Sequence, residues 1–257
     1  MKPSTTAAQS APVGRALVVG ASSGIGAALV ERLAREGWHV AALARRAEEL
    51  EALRARCAGH PGRVLVCVHD AREFDRVPAL FEELVRELGG LELVVYAAAL
   101  MPKVGRDEYD TRKDIEQLAV NLGGCIAWCN ESARLFRSQR AGTIVGISSI
   151  AGERGRKGNP VYATTKAGMN TYLEALRNRL AESNVHVCTI KPGFVDTAMT
   201  RDLGKQLLWL ISAEEAARLV LKAARARANE RFVPRRWWLV AKVIRCIPSF
   251  LFRHLNV

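Results

Sequence analysis

Short apolar runs alternate along the chain with longer segments whose apolar residues recur with helical spacing. The runs are continuous rather than interrupted by polar residues, which is typical of parallel strands covered on both faces. We predict strands at 15–20, 39–45, 63–68, 91–98, 142–148, 185–190 and 231–234. We predict helices at 24–37, 47–57, 72–88, roughly 107–138, 160–182 and 213–228.

This order of elements indicates successive βαβ units with right-handed crossovers. The predicted fold is an α/β, Rossmann-type, doubly wound parallel sheet of about seven strands with helices on both faces. We assign this domain to residues 15–234. Residues 1–14 lack the apolar segment of a signal peptide and are predicted to form a disordered leader. Residues 235–257 are predicted to form a basic amphipathic extension.

Composition narrows the class of partner. A chain of 257 residues with 49% hydrophobic and 25% charged residues is typical of one globular domain. Its net charge of +12 favours anionic partners, which include nucleotide phosphates, nucleic acid and lipid headgroups. Because the chain contains no nucleic-acid recognition module, nucleic-acid binding is not supported. The scattered cysteines predict reduced thiols and no metal site.

The segment "GASSGIG" joins the first predicted strand to the first predicted helix. Glycines in such a turn let the backbone approach a pyrophosphate, and the following helix N-terminus offers free N–H groups. We therefore predict a dinucleotide site here, the alternative being a tight turn without a ligand. The predicted contacts are Gly20, Ser22, Ser23, Gly24, Ile25 and Gly26.

The end of the second strand distinguishes between the two nicotinamide dinucleotides. NAD-binding chains carry an acidic residue there for the ribose 2′-hydroxyl, whereas Arg45 and Arg46 follow the strand here. A guanidinium can pair with a 2′-phosphate through two parallel hydrogen bonds. The predicted cofactor is NADP(H), with NAD(H) as the weaker alternative.

A tyrosine and a lysine stand one helical turn apart in "YATTKAG". Tyr162 and Lys166 share a helix face, but an isolated pair of this kind is usually a surface feature. Upstream, Ser148 and Ser149 end a predicted strand, at the edge of a parallel sheet where ligands bind. Asn121 lies in the helix before that strand. These positions together indicate an active site.

With "GASSGIG" and "KPGFVDT", these residues resemble the short-chain dehydrogenase/reductase family over about residues 15–200. The resemblance implies hydride transfer between a nicotinamide and a ketone or secondary alcohol. It implies Tyr162 as the acid–base catalyst and Lys166 as the cation that favours its phenolate and holds the nicotinamide ribose. Ser149 would hydrogen-bond the substrate oxygen, and Asn121 would keep a water in a proton relay. Ser148 is expected only to support the strand end.

The same resemblance implies further cofactor contacts. Thr197 corresponds to the residue beside the nicotinamide carboxamide, and Asp70 to the acid beside the adenine. Pro192, Gly193 and Val195 belong to the same predicted contact set.

One departure from the family pattern follows the fourth strand. The family carries Asn-Asn-Ala-Gly there, whereas this chain has "YAAA" at 96–99. Ala98 still lets the adenosine ribose approach. The support that the asparagine side chain gives to neighbouring strands is lost.

A narrower resemblance concerns the substrate. "SSIAGERGRKGNPVYATTKAG" and "IPSFLFRHLNV" resemble ketoreductase subunits of decaprenylphosphoryl-ribose 2-epimerases, which implies a 2-keto sugar on a polyprenyl phosphate. Arg154, Arg156 and Lys157 would then lie near the pocket mouth and bind phosphate, or form a solvated loop. Reduction of 3-ketoacyl, steroid or other apolar ketones stays open, as does a catalytically silent nucleotide-binding scaffold or sensor.

The C-terminal segment 231–257 is basic and aromatic and contains no acidic residue. Pro248 divides it into two predicted short helices. It is too short and too charged to span a bilayer but suits the headgroup boundary. We expect a cytoplasmic protein with peripheral contact to the inner membrane face; the alternative is that the segment packs on its own domain or across a dimer. The family resemblance implies a homo-oligomer, either a dimer or a tetramer.

Overall fold

The computed structural model describes residues 11–201 and 207–255, so the first ten residues of the predicted leader lie outside the described residues. The strands are β1 (Arg15–Val19), β2 (His39–Ala44), β3 (Val64–Val68), β4 (Leu93–Tyr96), β5 (Thr143–Ile147), β6 (His186–Pro192), β7 (Val195–Asp196), β8 (Ile211–Ser212) and β9 (Glu230–Val233). The helices are α1 (Gly24–Arg35), α2 (Ala47–Cys57), α3 (Val77–Leu88), α4 (Thr111–Leu118), α5 (Gly124–Gln139), α6 (Pro160–Leu180), α7 (Ala198–Arg201), α8 (Ala213–Arg225), α9 (Trp237–Cys246) and α10 (Ser249–Phe252).

Seven strands form one parallel sheet in the order β3-β2-β1-β4-β5-β6-β9. Strands β7 and β8 form a separate short parallel pair. The predicted Rossmann-type α/β fold is therefore confirmed. The strand order reverses between β1 and β4, and ligands of doubly wound sheets bind beside the carboxyl ends at such a reversal.

Two apolar layers hold the helices against the sheet. Side chains of β1 alternate between them, with Ala16 and Val18 facing the layer of α1, α2 and α8, and Leu17 and Val19 facing the layer of α3, α5 and α6. Each large side chain buried in this way contributes about 1.5–3 kcal/mol relative to exposure. The carboxyl ends of the strands are thereby held at one common edge.

The helical segment before β5 differs from the single helix predicted at 107–138. Helix α4 begins only at Thr111, because the Asp110 side chain accepts hydrogen bonds from the N–H groups of Arg112 and Lys113. A π-helical turn over Ala119–Gly123 then separates α4 from α5. Turns of this kind are frequent at functional sites, and this one contains the predicted site residue Asn121.

The C-terminal segment forms two helices divided at Pro248, as predicted. Trp237, Ala241 and Ile244 lie on one face of α9 and are buried, the first two in a cluster with Ile150 and Phe232. This face of the segment therefore packs on its own domain. No helix in the described ranges is long and apolar enough to cross a membrane.

Candidate active site

The glycine-rich turn packs directly against the chain that leaves β4. Gly20 has φ +91°, and a Cβ there would lie 2.4 Å from the Ala98 nitrogen. A Cβ on Gly26 would lie 2.1 Å from the Gly20 carbonyl oxygen, so this turn needs both glycines. Ser23 precedes α1 in an extended conformation without capping it through its side chain. The first N–H groups of α1 are thus open, and the turn fits a pyrophosphate.

Arg46 joins the end of β2 to this turn. Its guanidinium donates to the Ser22 hydroxyl over 2.8 and 3.2 Å and to the Ser23 hydroxyl over 2.9 Å. The structure therefore brings together three predicted cofactor residues, which are all hydrogen-bonding groups suited to a phosphate.

Asp70 lies beyond them, after β3. Its carboxylate accepts from the Arg72 guanidinium over 2.6 to 3.1 Å, and this hydrogen bonding holds the pKa of Asp70 below its usual value. Arg45 pairs with it more loosely, with 3.9 Å between the guanidinium and the carboxylate. The contact of Asp70 with the adenine stays a prediction.

The segment after β6 lies on the other side of the glycine-rich turn. The Gly193 N–H donates to the Val233 carbonyl, and Val195 is buried in β7. Thr197 is next to the turn, because a Cβ on Gly24 would lie 2.9 Å from its methyl group. The two segments that were predicted to contact one cofactor are therefore neighbours.

Helix α6 carries Tyr162 and Lys166 on one face, as predicted. Lys166 is only 1% exposed, and its ammonium donates to the Ile147 carbonyl over 2.8 Å. The same ammonium lies 5.7 Å from the centroid of the Tyr162 ring. The Tyr162 phenol is hydrogen-bonded to Ser149, whose hydroxyl also accepts from the Ala151 N–H. Polar side chains from the end of β5 and from the start of α6 thus lie next to one another.

Burial dominates the acid–base properties of this pair. It raises the pKa of Tyr162 to about 12, although the hydrogen bond with Ser149 and the charge of Arg156 act in the opposite direction. It lowers the pKa of Lys166 to about 8. The charge of Arg156 is one that acts on the phenol; the effect of Lys166 on the phenolate stays a prediction. Tyr162 is protonated at neutral pH, the form that can donate a proton.

Asn121 is buried in the π-helical turn. Its amide oxygen accepts from the Leu100 N–H over 2.6 Å, and its amide nitrogen donates to the Leu100 carbonyl over 2.9 Å and to the Thr165 hydroxyl over 3.1 Å. Asn121 therefore connects the chain leaving β4 to α6. Its role in a water relay stays a prediction.

Two hydroxyls support the strand ends. Ser148 donates to the Asn170 side chain over 2.6 Å and contacts the Lys166 carbonyl at 3.2 Å, the supporting role that was predicted. Tyr96 donates to the Val120 carbonyl, and sequence reasoning missed this contact. The available signal was Gly124 in the facing helix, where a Cβ would lie 2.3 Å from the Tyr96 hydroxyl.

The three basic residues of the loop between Ser149 and Tyr162 were expected to lie together, but the structure places them in different surroundings. Arg154 is not available to a ligand at the pocket mouth, because its guanidinium donates to the carbonyls of Ile244 and Ile247 at the end of α9. It also lies 4.0 Å from the centroid of the Phe252 ring. Lys157 is exposed, and Arg156 is partly buried.

Comparisons with known proteins identify the family. The sequence profile of the short chain dehydrogenase family matches residues 15–208. The chain is 34% identical over 191 residues to human 3-oxoacyl-[acyl-carrier-protein] reductase, covering 74% of this chain and 79% of the human protein. It is 30% identical over 234 residues to an uncharacterized oxidoreductase of Mycobacterium tuberculosis, covering 89% and 90%. A double mutant of a Serratia marcescens short-chain dehydrogenase/reductase is similar in structure, with a TM-score of 0.76, 29% identity, and coverage of 85% of this chain and 95% of that one.

The fold, the glycine-rich turn and the Ser–Tyr–Lys arrangement define a dinucleotide-dependent oxidoreductase. The chain belongs to the short-chain dehydrogenase/reductase family. It is an NAD(P)-dependent oxidoreductase that acts on CH–OH and C=O groups.

Proposed function

We propose that this protein is an NADPH-dependent ketone reductase with Tyr162 as its proton donor. The bound nicotinamide would supply the hydride. Protonated Tyr162 would give its proton to the carbonyl oxygen, and Ser149, its hydrogen-bond partner, would orient that oxygen. Lys166 on the same helix face would hold the nicotinamide ribose, and Asn121 would keep the proton-relay water.

The preference for NADPH is supported by one observation. The Arg46 guanidinium bridges Ser22 and Ser23 at the end of β2, where NAD-binding chains carry an acidic residue. A 2′-phosphate offers three acceptor oxygens to these donors, whereas a 2′-hydroxyl offers a single oxygen. Arg45 lies beside this group and is half exposed, so it can add a second cation.

Cofactor titration tests this preference. Wild type is expected to bind NADPH at least about tenfold more tightly than NADH, and Arg46→Ala should remove most of that difference, since an ion pair with phosphate is lost. Arg54→Ala is the matched control, because Arg54 is an exposed arginine of α2 that pairs with Glu51. If Arg46→Ala weakened NADPH and NADH equally, Arg46 would support the turn and not the 2′-phosphate.

For the substrate, we propose a 2-keto sugar carried on a polyprenyl phosphate. The support is the outer side of the C-terminal segment, where Trp238, Leu239, Val243 and Phe250 are each at least half exposed. Cations accompany them, and no acidic residue follows Glu230. This surface suits anionic lipid, so the protein would be cytoplasmic, attached to the inner membrane face, and able to meet a lipid-linked substrate there. A homo-oligomer, dimer or tetramer, is part of the same proposal.

A second candidate is reduction of 3-ketoacyl thioesters, favoured by the name of the human relative. An assay of NADPH oxidation separates the candidates when keto sugars, 3-ketoacyl thioesters, steroid ketones and aromatic ketones are compared. Turnover of the keto sugar above the others supports the first candidate. NADPH binding without turnover of any ketone would instead indicate a catalytically silent nucleotide-binding protein.

A further inference from the structure

Arg156 is a partly buried cation beside the tyrosine that was predicted to be catalytic. Its Nε atom is buried and has no hydrogen-bond partner among the residues that the structure describes. No carboxylate of the described chain forms an ion pair with it. The closest acidic residue in sequence, Glu153, is directed elsewhere, with its carboxylate 2.7 Å from Lys191 and 3.3 Å from Arg245.

The loop that carries Arg156 is held at both ends. On one side the Arg154 guanidinium donates to the carbonyls at the end of α9. On the other side the Asn159 side chain accepts from the Tyr162 N–H over 3.1 Å and donates to the Pro102 carbonyl over 3.0 Å. Arg156 therefore lies between two fixed points, three residues before Asn159, which caps the helix that carries Tyr162.

An unpaired cation in such a place is costly, since burial removes water without supplying a counter-charge. Burial lowers the pKa of Arg156 for this reason. The cost falls when an anion binds beside the guanidinium. A guanidinium fork matches the oxygens of a phosphate or carboxylate particularly well.

We propose that Arg156 binds an anionic group of the substrate, a phosphate or a carboxylate, that lies near the carbonyl reduced at Tyr162. This inference rests on the proposed reductase activity and specifies the substrate class of that site. Arg156 is then a specificity residue, which selects charged ketones over neutral ones of the same shape. If it only adjusted the acidity of Tyr162, it would affect charged and neutral ketones alike.

Matched pairs of ketones separate these two roles. We would compare kcat/KM for 4-acetylbenzoate with its methyl ester, and for dihydroxyacetone phosphate with dihydroxyacetone, at saturating NADPH. In one of the pairs, the kcat/KM of wild type is expected to be at least about tenfold higher for the anionic ketone. That pair shows whether the site takes a carboxylate or a phosphate. Arg156→Gln should remove this preference mainly through KM. Lys157→Gln, which removes an exposed charge next to Arg156, should keep it.

If Arg156→Gln lowered kcat/KM equally for both members of a pair and shifted the pH profile, the proposal would be overturned. A wild type without preference for the anion in either pair would also overturn it. Calorimetric titration of the NADPH-saturated protein with benzoate and with inorganic phosphate gives a readout that does not depend on turnover. The wild type could bind an anion and reduce no ketone. If Arg156→Gln then lost that binding, the anion site would stand and the reductase activity would be rejected. Absence of anion binding by wild type would reject the site.

Discussion

The hydroxyl of Tyr96 donates a hydrogen bond to the main-chain carbonyl of Val120, inside the π-helical turn that carries Asn121. Tyr96 is completely buried and Val120 nearly so. Gly124 leaves room for the hydroxyl, because any Cβ there would collide with it. This bond connects the end of β4 to the helix before β5, at the place where the family pattern has an asparagine instead. Burial raises the pKa of Tyr96, so it stays a neutral donor.

We expect Tyr96→Phe to lower the free energy of unfolding by about 1–3 kcal/mol, because the Val120 carbonyl is left buried without its partner. The rate constant kcat should fall as well, since the turn that positions Asn121 loses one of its attachments. Urea unfolding and steady-state assays measure the two effects. The control is Tyr109→Phe, whose side chain is 93% exposed. Equal stability of Tyr96→Phe and wild type would show that the bond contributes nothing.

Tyr162→Phe removes only the proposed proton donor. We expect kcat for ketone reduction to fall by about 10²–10⁴-fold, the usual contribution of a positioned acid. The dissociation constant of NADPH should stay within about twofold of wild type, since the aromatic ring remains. Stopped-flow turnover and fluorescence titration measure these quantities. A variant that kept more than about a tenth of the wild-type rate would make the assignment of Tyr162 wrong.

The buried Lys166 should make stability depend on pH. Its pKa is about 8 in the folded protein and 10.5 ordinarily, so the unfolded chain binds the proton more tightly between these values. The free energy of unfolding therefore rises with pH across this window, with Tyr162 opposing it only above about pH 10. Between about pH 7.5 and pH 9.5, the free energy of unfolding of wild type should rise by about 1–2 kcal/mol relative to that of Lys166→Met. Urea titrations at several pH values measure this difference, and a constant difference would contradict it.

The outer face of the C-terminal segment is the proposed membrane contact. We expect Leu239→Ser/Phe250→Ser to reduce co-sedimentation with anionic liposomes strongly, because both side chains are more than 60% exposed and apolar. This double variant keeps Trp237 and Ile244, so the buried face of α9 is preserved. Ile115→Ser, an exposed apolar position on α4, is the control. Unchanged sedimentation of the double variant would reject membrane attachment through this face.

Much of the fold could be predicted from local pattern. The apolar runs located the seven strands of the sheet, because strands covered on both faces need continuous apolar residues. The start of α4 and the π-helical turn could not be found in this way. The start of α4 is set by the Asp110 side chain, and the π-helical turn is joined to β4 by a hydrogen bond from Tyr96, which is distant in sequence.

The sequence by itself determined which residue types stand at the strand ends, namely the glycines of the first turn and Ser149, and that Tyr162 and Lys166 share one face of a helix. Only the tertiary structure decided what surrounds them. Arg154 and Arg156 are two residues apart, yet the guanidinium of one is bound to the end of α9, whereas the Nε of the other is buried without a partner in the described chain. The reason is physical: local spacing sets which side chains share a face, whereas burial and counter-charges come from segments that meet only when the chain is packed.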